Sequence, residues 1–220
     1  MKAEFIARVM QIMNELGWND TESNAFIGSD TTKVNGHIES VFVDAWRKAV
    51  NLLPKTYFTV DDFSNNKLVS DIGEGIGYVV LPDDFYLLYS FKMEGWHKNV
   101  ETAHLFSDAM ASIQSNEYTR GNFVRPVCVL SSRPVKEGDG NEAKIVIKEI
   151  MEYYSLPRGK THNVEEALYI PIISPLSDGT QLSEKLYVPL AYLCASMVFN
   201  IFEKPEISQA LEKIATEINK

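Results

Sequence analysis

Two pairs of adjacent carboxylates, Asp61-Asp62 and Asp83-Asp84, are the side chains of this sequence best suited to chemistry. Two carboxylates at a suitable separation run glycoside hydrolysis as acid and base, or hold a divalent cation. Adjacent residues on a strand point to opposite faces, so neither pair converges by itself. In Leu81-Pro82-Asp83-Asp84-Phe85 the acids follow a proline, where aspartate readily caps a turn through its side chain. The turn reading is preferred to the catalytic one.

Other reactive groups are dispersed. Gly73, Gly75 and Gly77 spell G-E-G-I-G, the outline of a phosphate loop. Such a loop must be followed by a helix N-terminus, whereas Tyr78-Val79-Val80 reads as a strand, so a flexible turn is expected. His37, His97, His104 and His162 show no metal-site spacing, and H-E-x-x-H is absent. Ser29 and Ser155 lack the G-x-S-x-G elbow. Cys128 sits in an apolar strand and Cys194 on an apolar helix, so both are read as inert buried thiols. No catalytic residue, cofactor site or metal ligand is assigned, and the chain is not read as an enzyme.

Hydrophobic periodicity outlines the elements that hold these residues. Phe5, Ile6, Val9, Met10, Ile12, Met13 and Leu16 recur at helical spacing, with Gly17 placed to end the helix. The polar stretch Trp18–Asn35 reads as a long loop. Ile38, Val41, Phe42, Ala45, Trp46, Ala49 and Val50 then predict a second helix, ending before Pro54. Short β-branched and aromatic runs at 56–60, 77–82, 86–93, 123–130 and 143–150 predict antiparallel strands, with Ala167–Ile173 as a further one. Lys136–Glu142, centred on Asp139-Gly140, suits a hairpin connection. Ala103, Phe106, Ala109, Met110 and Ile113 fit one face of a short helix between Val100 and Gln114.

The C-terminal stretch returns to helix. Leu186, Leu190, Leu193, Met197, Val198 and Ile201 form one stripe, with Pro189 as a first-turn residue or a kink, and Pro205 opens a last helix through Ile218. The fold class is α+β: a helical bundle from both chain ends with an inserted antiparallel β domain. Residues 1–54 and 182–220 are expected in the discontinuous bundle and 55–181 in the β-rich insertion. Tyr86, Tyr89, Phe91, Trp96, Tyr153 and Tyr154 fall in or beside the β region, where sheet core is the better reading than interface.

Composition narrows the class of protein. The 220 residues include thirty acids and twenty-one bases, a net charge of −9 that argues against a general nucleic-acid binder. Only residues 106–160, with Arg120, Arg125 and Arg133, are not acidic, at +1; that is too mild for a nucleic-acid patch. Twelve Gly and nine Pro exclude collagen-like and disordered readings. Glu4 and Arg8 interrupt any signal-peptide core, and both thiols are expected to stay reduced. Leu186–Phe202 falls short of the ~20 residues of a membrane span and contains Pro189, Ser196 and Asn200, so it is read as a buried helix.

Two stretches carry a resemblance. The helix V41-F-V-D-A-W-R-K-A-V-N-L-L-P54 is followed by Tyr57-Phe58, and the strand-turn-strand G77-Y-V-V-L-P-D-D-F-Y-L-L-Y-S-F-K-M93 comes next. An amphipathic helix with a Leu-Leu-Pro stop and a Leu-Pro-x-Asp strand end resembles the head-to-tail connector, or adaptor, ring proteins of short-tailed phages. With Lys92–Trp96 and R120-G-N-F-V-R-P-V-C128 included, the closer resemblance is to ring proteins of crAss-like phages. Leu81, Pro82 and Asp84 match the family's strand-end motif, which is structural and not catalytic. The β insertion is longer here, over roughly residues 96–175, so contacts made there do not carry over from simpler adaptors.

The resemblance implies a structural virion protein at the head–tail junction, made in the host cytoplasm. It would form a homo-oligomeric ring, commonly of twelve subunits, beneath the portal protein and next to other tail or ring proteins. DNA would pass through the channel without sequence-specific binding, and no membrane is involved. The helices are expected to form the ring and the β insertion to touch neighbouring proteins, with Trp46, Trp96, Arg120 and Arg125 as interface residues. A small carboxylate-dependent hydrolase or carbohydrate-active enzyme is the alternative.

Overall fold

The computed structural model describes residues 1–15, 31–66, 68–69, 75–137, 144–154, 156 and 163–218. Among them it shows a mixed α+β fold of five α-helices and two sheets. The helices are α1 (Lys2–Glu15), α2 (Thr31–Leu52), α3 (Ala109–Gln114), α4 (Glu184–Ile201) and α5 (Pro205–Glu217). The strands are β1 (Asp61–Asp62), β2 (Leu68–Val69), β3 (Ile76–Val80), β4 (Phe85–Met93), β5 (His104–Leu105), β6 (Cys128–Glu137), β7 (Lys144–Tyr154) and β8 (Val164–Pro171). The chain divides into two compact units, Met1–Thr59 with Ile172–Lys220, and Val60–Pro171. These limits lie inside the expected β-rich segment at both ends, because Phe58 packs edge-on against Trp46 and Leu176 is buried.

In the first unit, spacing sets which faces are covered. α1 buries Phe5, Val9, Ile12 and Met13, and α2 buries Val34, Ile38, Phe42, Ala45 and Ala49, positions that fall along one face of each helix. α4 is buried on nearly every side, through Leu186, Leu190, Leu193, Cys194, Val198 and Phe199, and α1, α2 and α5 all pack against it. The Phe5 ring meets Phe42 and Tyr187 edge-on at 5.4 and 5.5 Å. Ser183 caps α4 by accepting a hydrogen bond from the Leu186 N–H at 3.3 Å. Pro189 lies inside α4, where it removes one main-chain donor. No described helix is long and apolar enough to cross a membrane. The expected loop Trp18–Asn35 is corrected at its end: residues 31–35 belong to α2, because Val34 extends the buried Ile38–Phe42 stripe by one turn. Leu16, Gly17 and residues 18–30 lie outside the described residues.

The α4–α5 connection contains a residue ill suited to its backbone. The Lys204 N–H reaches the Phe199 carbonyl at 2.9 Å and the Glu203 N–H reaches that of Asn200 at 3.1 Å, the double bond of a Schellman cap. Glu203 therefore occupies the left-handed region, at φ 58°, where a side chain costs roughly 1–2 kcal/mol that glycine avoids. Glu203→Gly is expected to stabilise the protein by about 1 kcal/mol and raise Tm by about 2–4 °C. An unchanged or lower Tm in a thermal melt would contradict that expectation.

In the second unit, β1, β8 and β4 form a three-stranded antiparallel sheet in that order. β2, β3, β7, β6 and β5 form a five-stranded sheet, antiparallel except for the β5–β6 pair, which is parallel. One core joins the two sheets: Phe63, Leu88, Phe91, Met93 and Tyr169 pack with Val79, Cys128, Met151 and Tyr153. Register shifts in β4 let Leu88, Phe91 and Met93 all reach this core despite their mixed parity.

Three expected elements differ. Residues 56–60 are not a strand, because Pro54 is followed by a 3-10 turn at Lys55–Tyr57 and pairing begins at Asp61. The strand expected from Phe123 begins at Cys128, since Asn122 and Arg125 close a tight turn and Pro126 lacks a donor. The helix expected from Val100 is confined to Ala109–Gln114, because Val100 pairs with Phe91 and His104–Leu105 pairs with β6. β6 and β7 pair without interruption from Cys128↔Tyr153 to Glu137↔Lys144, while the Asp139-Gly140 connection lies outside the described residues. Strand β8 starts and ends earlier than the expected Ala167–Ile173.

Candidate functional site

The paired acids are held in turns. Asp62 Oδ1 accepts from the Ser64 N–H at 2.7 Å as the chain leaves β1. After β3, Leu81 is buried in the β-unit core and donates its N–H to the Glu149 carbonyl at 3.0 Å. The Pro82 carbonyl accepts from the Phe85 N–H at 3.1 Å, closing a turn over Asp83 and Asp84. Asp83 meets Lys148 Nζ at 2.9 Å, and Asp84 Oδ1 accepts from the Tyr169 hydroxyl at 2.9 Å. Leucine anchors this turn, proline sets it, and Asp84 ties it to β8.

Asp61 lies opposite Tyr169 in the β1–β8 register, so acids from both pairs act on one phenol. Burial, then the hydrogen bond and charge of Asp84, then the charge of Asp61, push the Tyr169 phenol well above its usual range. It remains a protonated donor at neutral pH. Among the described residues, no group of three or more His, Cys, Asp or Glu side chains is placed to hold a metal ion.

The glycines serve packing. A Cβ on Gly77 would lie 2.2 Å from the Tyr153 hydroxyl, because the buried tyrosine ring crosses directly over that glycine. Gly75, at φ 77°, accepts from the Leu156 N–H at 3.0 Å, and its Cβ would collide with the Leu156 carbonyl. Gly73 lies outside the described residues. The close approaches explain two glycines that resemble a phosphate loop in sequence.

The histidines stay apart. His37 packs on Phe202 and His97 on Phe123, and His104 Nδ1 lies 3.8 Å from Asp108. His162, Ser29 and Ser155 lie outside the described residues. Cys128 and Cys194 are fully buried, one in each unit, and burial raises both thiols far above their usual range. They stay protonated and unreactive.

A polar cluster that the sequence reading missed lies on the five-stranded sheet. The Glu152 carboxylate is buried and accepts from Ser131 Oγ at 3.1 Å, Arg133 Nε at 2.9 Å and Tyr154 OH at 2.6 Å. Arg133 Nη2 lies 2.6 Å from Oε1, the oxygen that Ser131 and Arg133 Nε also reach, while Tyr154 holds Oε2, and the guanidinium stands over the Tyr78 ring. The carboxylate is thus satisfied by three side chains, as a buried charge requires. The signal was available: a lone acid inside the apolar strand run I150-M-E-Y-Y154 needs partners.

Of the four expected interface residues, the two tryptophans are in the wrong place for contact. Trp46 is 4% exposed and Trp96 3% exposed, each in the core of its own unit. This is a correction: the rings are used in intramolecular packing, Trp46 on Phe58 and Trp96 on Phe91 and Tyr153. Trp96 Nε1 has no hydrogen-bond partner among the described residues. Arg125 is exposed and Arg120 half-buried. No protein-family model matches the chain, and no curated protein matches it in sequence.

Proposed function

We propose that this protein is a structural virion subunit that forms a head-to-tail connector ring beneath the portal, enclosing a channel for DNA. The observation that carries the reading is the resemblance of residues 41–54 and 77–93 to connector ring proteins. The pinned turn at Leu81, Pro82 and Asp84 supports it, since each of those residues makes a contact that shapes the chain. In this reading the helices from the two chain ends form a bundle that builds the ring wall, and the β unit contacts neighbouring proteins. The net charge of −9 repels DNA, so the genome slides past without sequence-specific binding.

Electron microscopy of the purified protein with the portal tests the proposal. A ring seated at the head–tail junction is the expected result. Protein that stays monomeric alone and with portal, and never appears at that junction, sinks it. A carboxylate-dependent hydrolase is the second reading, favoured by Asp61 and Asp84 both acting on Tyr169. It predicts a hydrolytic activity that Asp84→Asn abolishes while the fold remains intact.

A further inference from the structure

Helix α5 is held to its unit differently from α1 and α2. α1 buries Phe5, Val9, Ile12 and Met13, whereas Leu211 is the one large apolar side chain that α5 buries, beside Ser208 and Ala215. Ile214 in α5 and Ile218 just after it lie on the Leu211 stripe, yet they are 36% and 38% exposed. A helix of 13 residues is marginal in water by itself, so packing decides whether it forms.

The rest of that packing is polar. Ser196 of α4 and Ser208 of α5 are both buried, with their hydroxyl oxygens 2.8 Å apart. The Ser196 hydroxyl donates to Glu212 Oε1 at 3.2 Å, and Lys48 Nζ of α2 donates to the same oxygen. Ser196 has one proton to give, so Ser208 must donate to Ser196, and both hydroxyls point along the chain towards the carboxylate. The Glu212 charge thus orders the whole network, since charge-assisted hydrogen bonds are roughly twice as strong as neutral ones. Lys48 and Glu212 are 31% and 29% exposed, so dissolved salt reaches the pair. The turn into α5 carries the strained Glu203, at φ 58°, a cost that an opened turn does not bear.

We propose that α5 is a latch on α4, opening as one element while α1, α2 and α4 stay packed, with the Lys48–Glu212 pair as its catch. Segments with few buried apolar contacts open below the global unfolding free energy, and α5 has the fewest of the long helices that pack on α4. Ser196 shares a helix face with Leu193 and Phe199, both fully buried, so opening unmasks an apolar strip of α4. Cys194 lies about 200° around the helix from Ser196 and stays covered. The latch does not depend on the connector reading.

Native-state hydrogen exchange of the full chain, resolved by peptide with mass spectrometry, tests the proposal. The α5 amides, including those of Leu211 and Glu212 in its middle, are expected to exchange together, about tenfold or more faster than those of α4. Glu212→Gln is expected to speed α5 exchange by about a further tenfold at low salt and to leave α4 unchanged. Salt at about 1 M speeds α5 exchange in the wild type and not in Glu212→Gln.

A thiol gives the second readout. Ser208→Cys places one at a position 1% exposed, and iodoacetamide is expected to label it about tenfold or more faster than the fully buried Cys128 and Cys194. Labelling no faster than that of Cys194, or α5 amides that exchange at the α4 rate, overturns the latch. Protection lost only stepwise from one end of α5 also overturns it, because that is fraying. α5 exchange in Glu212→Gln that matches the wild type removes the catch and with it the proposal.

Discussion

Phe63→Ala is expected to lower the unfolding free energy by about 3–5 kcal/mol, a large part of the 5–15 kcal/mol typical of a folded protein. Phe63 is fully buried just after β1. Its ring stacks on Phe91 at 6.1 Å and meets Phe85 and Tyr169 edge-on at 6.1 and 5.7 Å. Through Phe91 the contact continues to Tyr153 at 6.0 Å, on the other sheet. Removing the ring leaves a void whose walls are themselves aromatic and held by their strands, so collapse is limited. Urea unfolding checks this: the midpoint should fall with an unchanged slope, and Phe63→Leu should lose less. A loss under about 1 kcal/mol for the alanine variant would mean the site is far less packed than described.

Gly77→Ala has the second large effect, and its sign is the informative part. In an ordinary strand, alanine is the better residue by roughly 0.5–1 kcal/mol. Here the added methyl would stand 2.2 Å from the Tyr153 hydroxyl, 2.4 Å from Cζ and 2.6 Å from Cε2. Tyr153 is fully buried against Phe91 and Trp96, so the ring has nowhere to move. A loss of about 1–3 kcal/mol or more is expected from the overpacking. Tyr153→Phe should not rescue it, since Cζ remains, whereas Tyr153→Leu opens space. A double-mutant cycle with Tyr153→Leu should therefore show strong coupling, and additive losses would reject the clash.

What could be read from the sequence was periodicity. The Phe5–Val9–Ile12 and Ile38–Phe42–Ala45 stripes name the buried faces of α1 and α2, and the runs at 77–80 and 86–93 name β3 and β4. Periodicity says which residues share a face, and nothing about whether anything covers it. Met110 and Ile113 lie on the expected short helix yet are exposed, while Phe106, expected on the same face, falls outside that helix and is exposed too. The aromatic run at 56–58 resembles a strand locally, but the turn after Pro54 and the packing of Phe58 on Trp46 override that preference. Gly77 and Glu152 depend on residues brought in from other strands: Tyr153 of β7, about seventy-five positions away, for the first, and Ser131 and Arg133 of β6, about twenty positions away, for the second. A carboxylate pair is conspicuous in a sequence, whereas the hydrogen bonds that occupy it become visible only in three dimensions.

The division of the chain into a continuous β unit and a split helical one sets an order of events during synthesis. Residues 60–171 form a compact unit with a core of their own and can close as soon as they have emerged. α1 and α2 leave the ribosome before the β unit, but their main partner α4 is encoded beyond the whole of it. At about 5–20 residues per second, their apolar faces wait on the order of ten seconds for it. Such sequence-distant contacts also slow folding, since a long loop must close before they form. Throughout that interval the nascent chain presents the Phe5 and Phe42 faces to whatever else is nearby, which makes the N-terminal helices the segment a chaperone would hold.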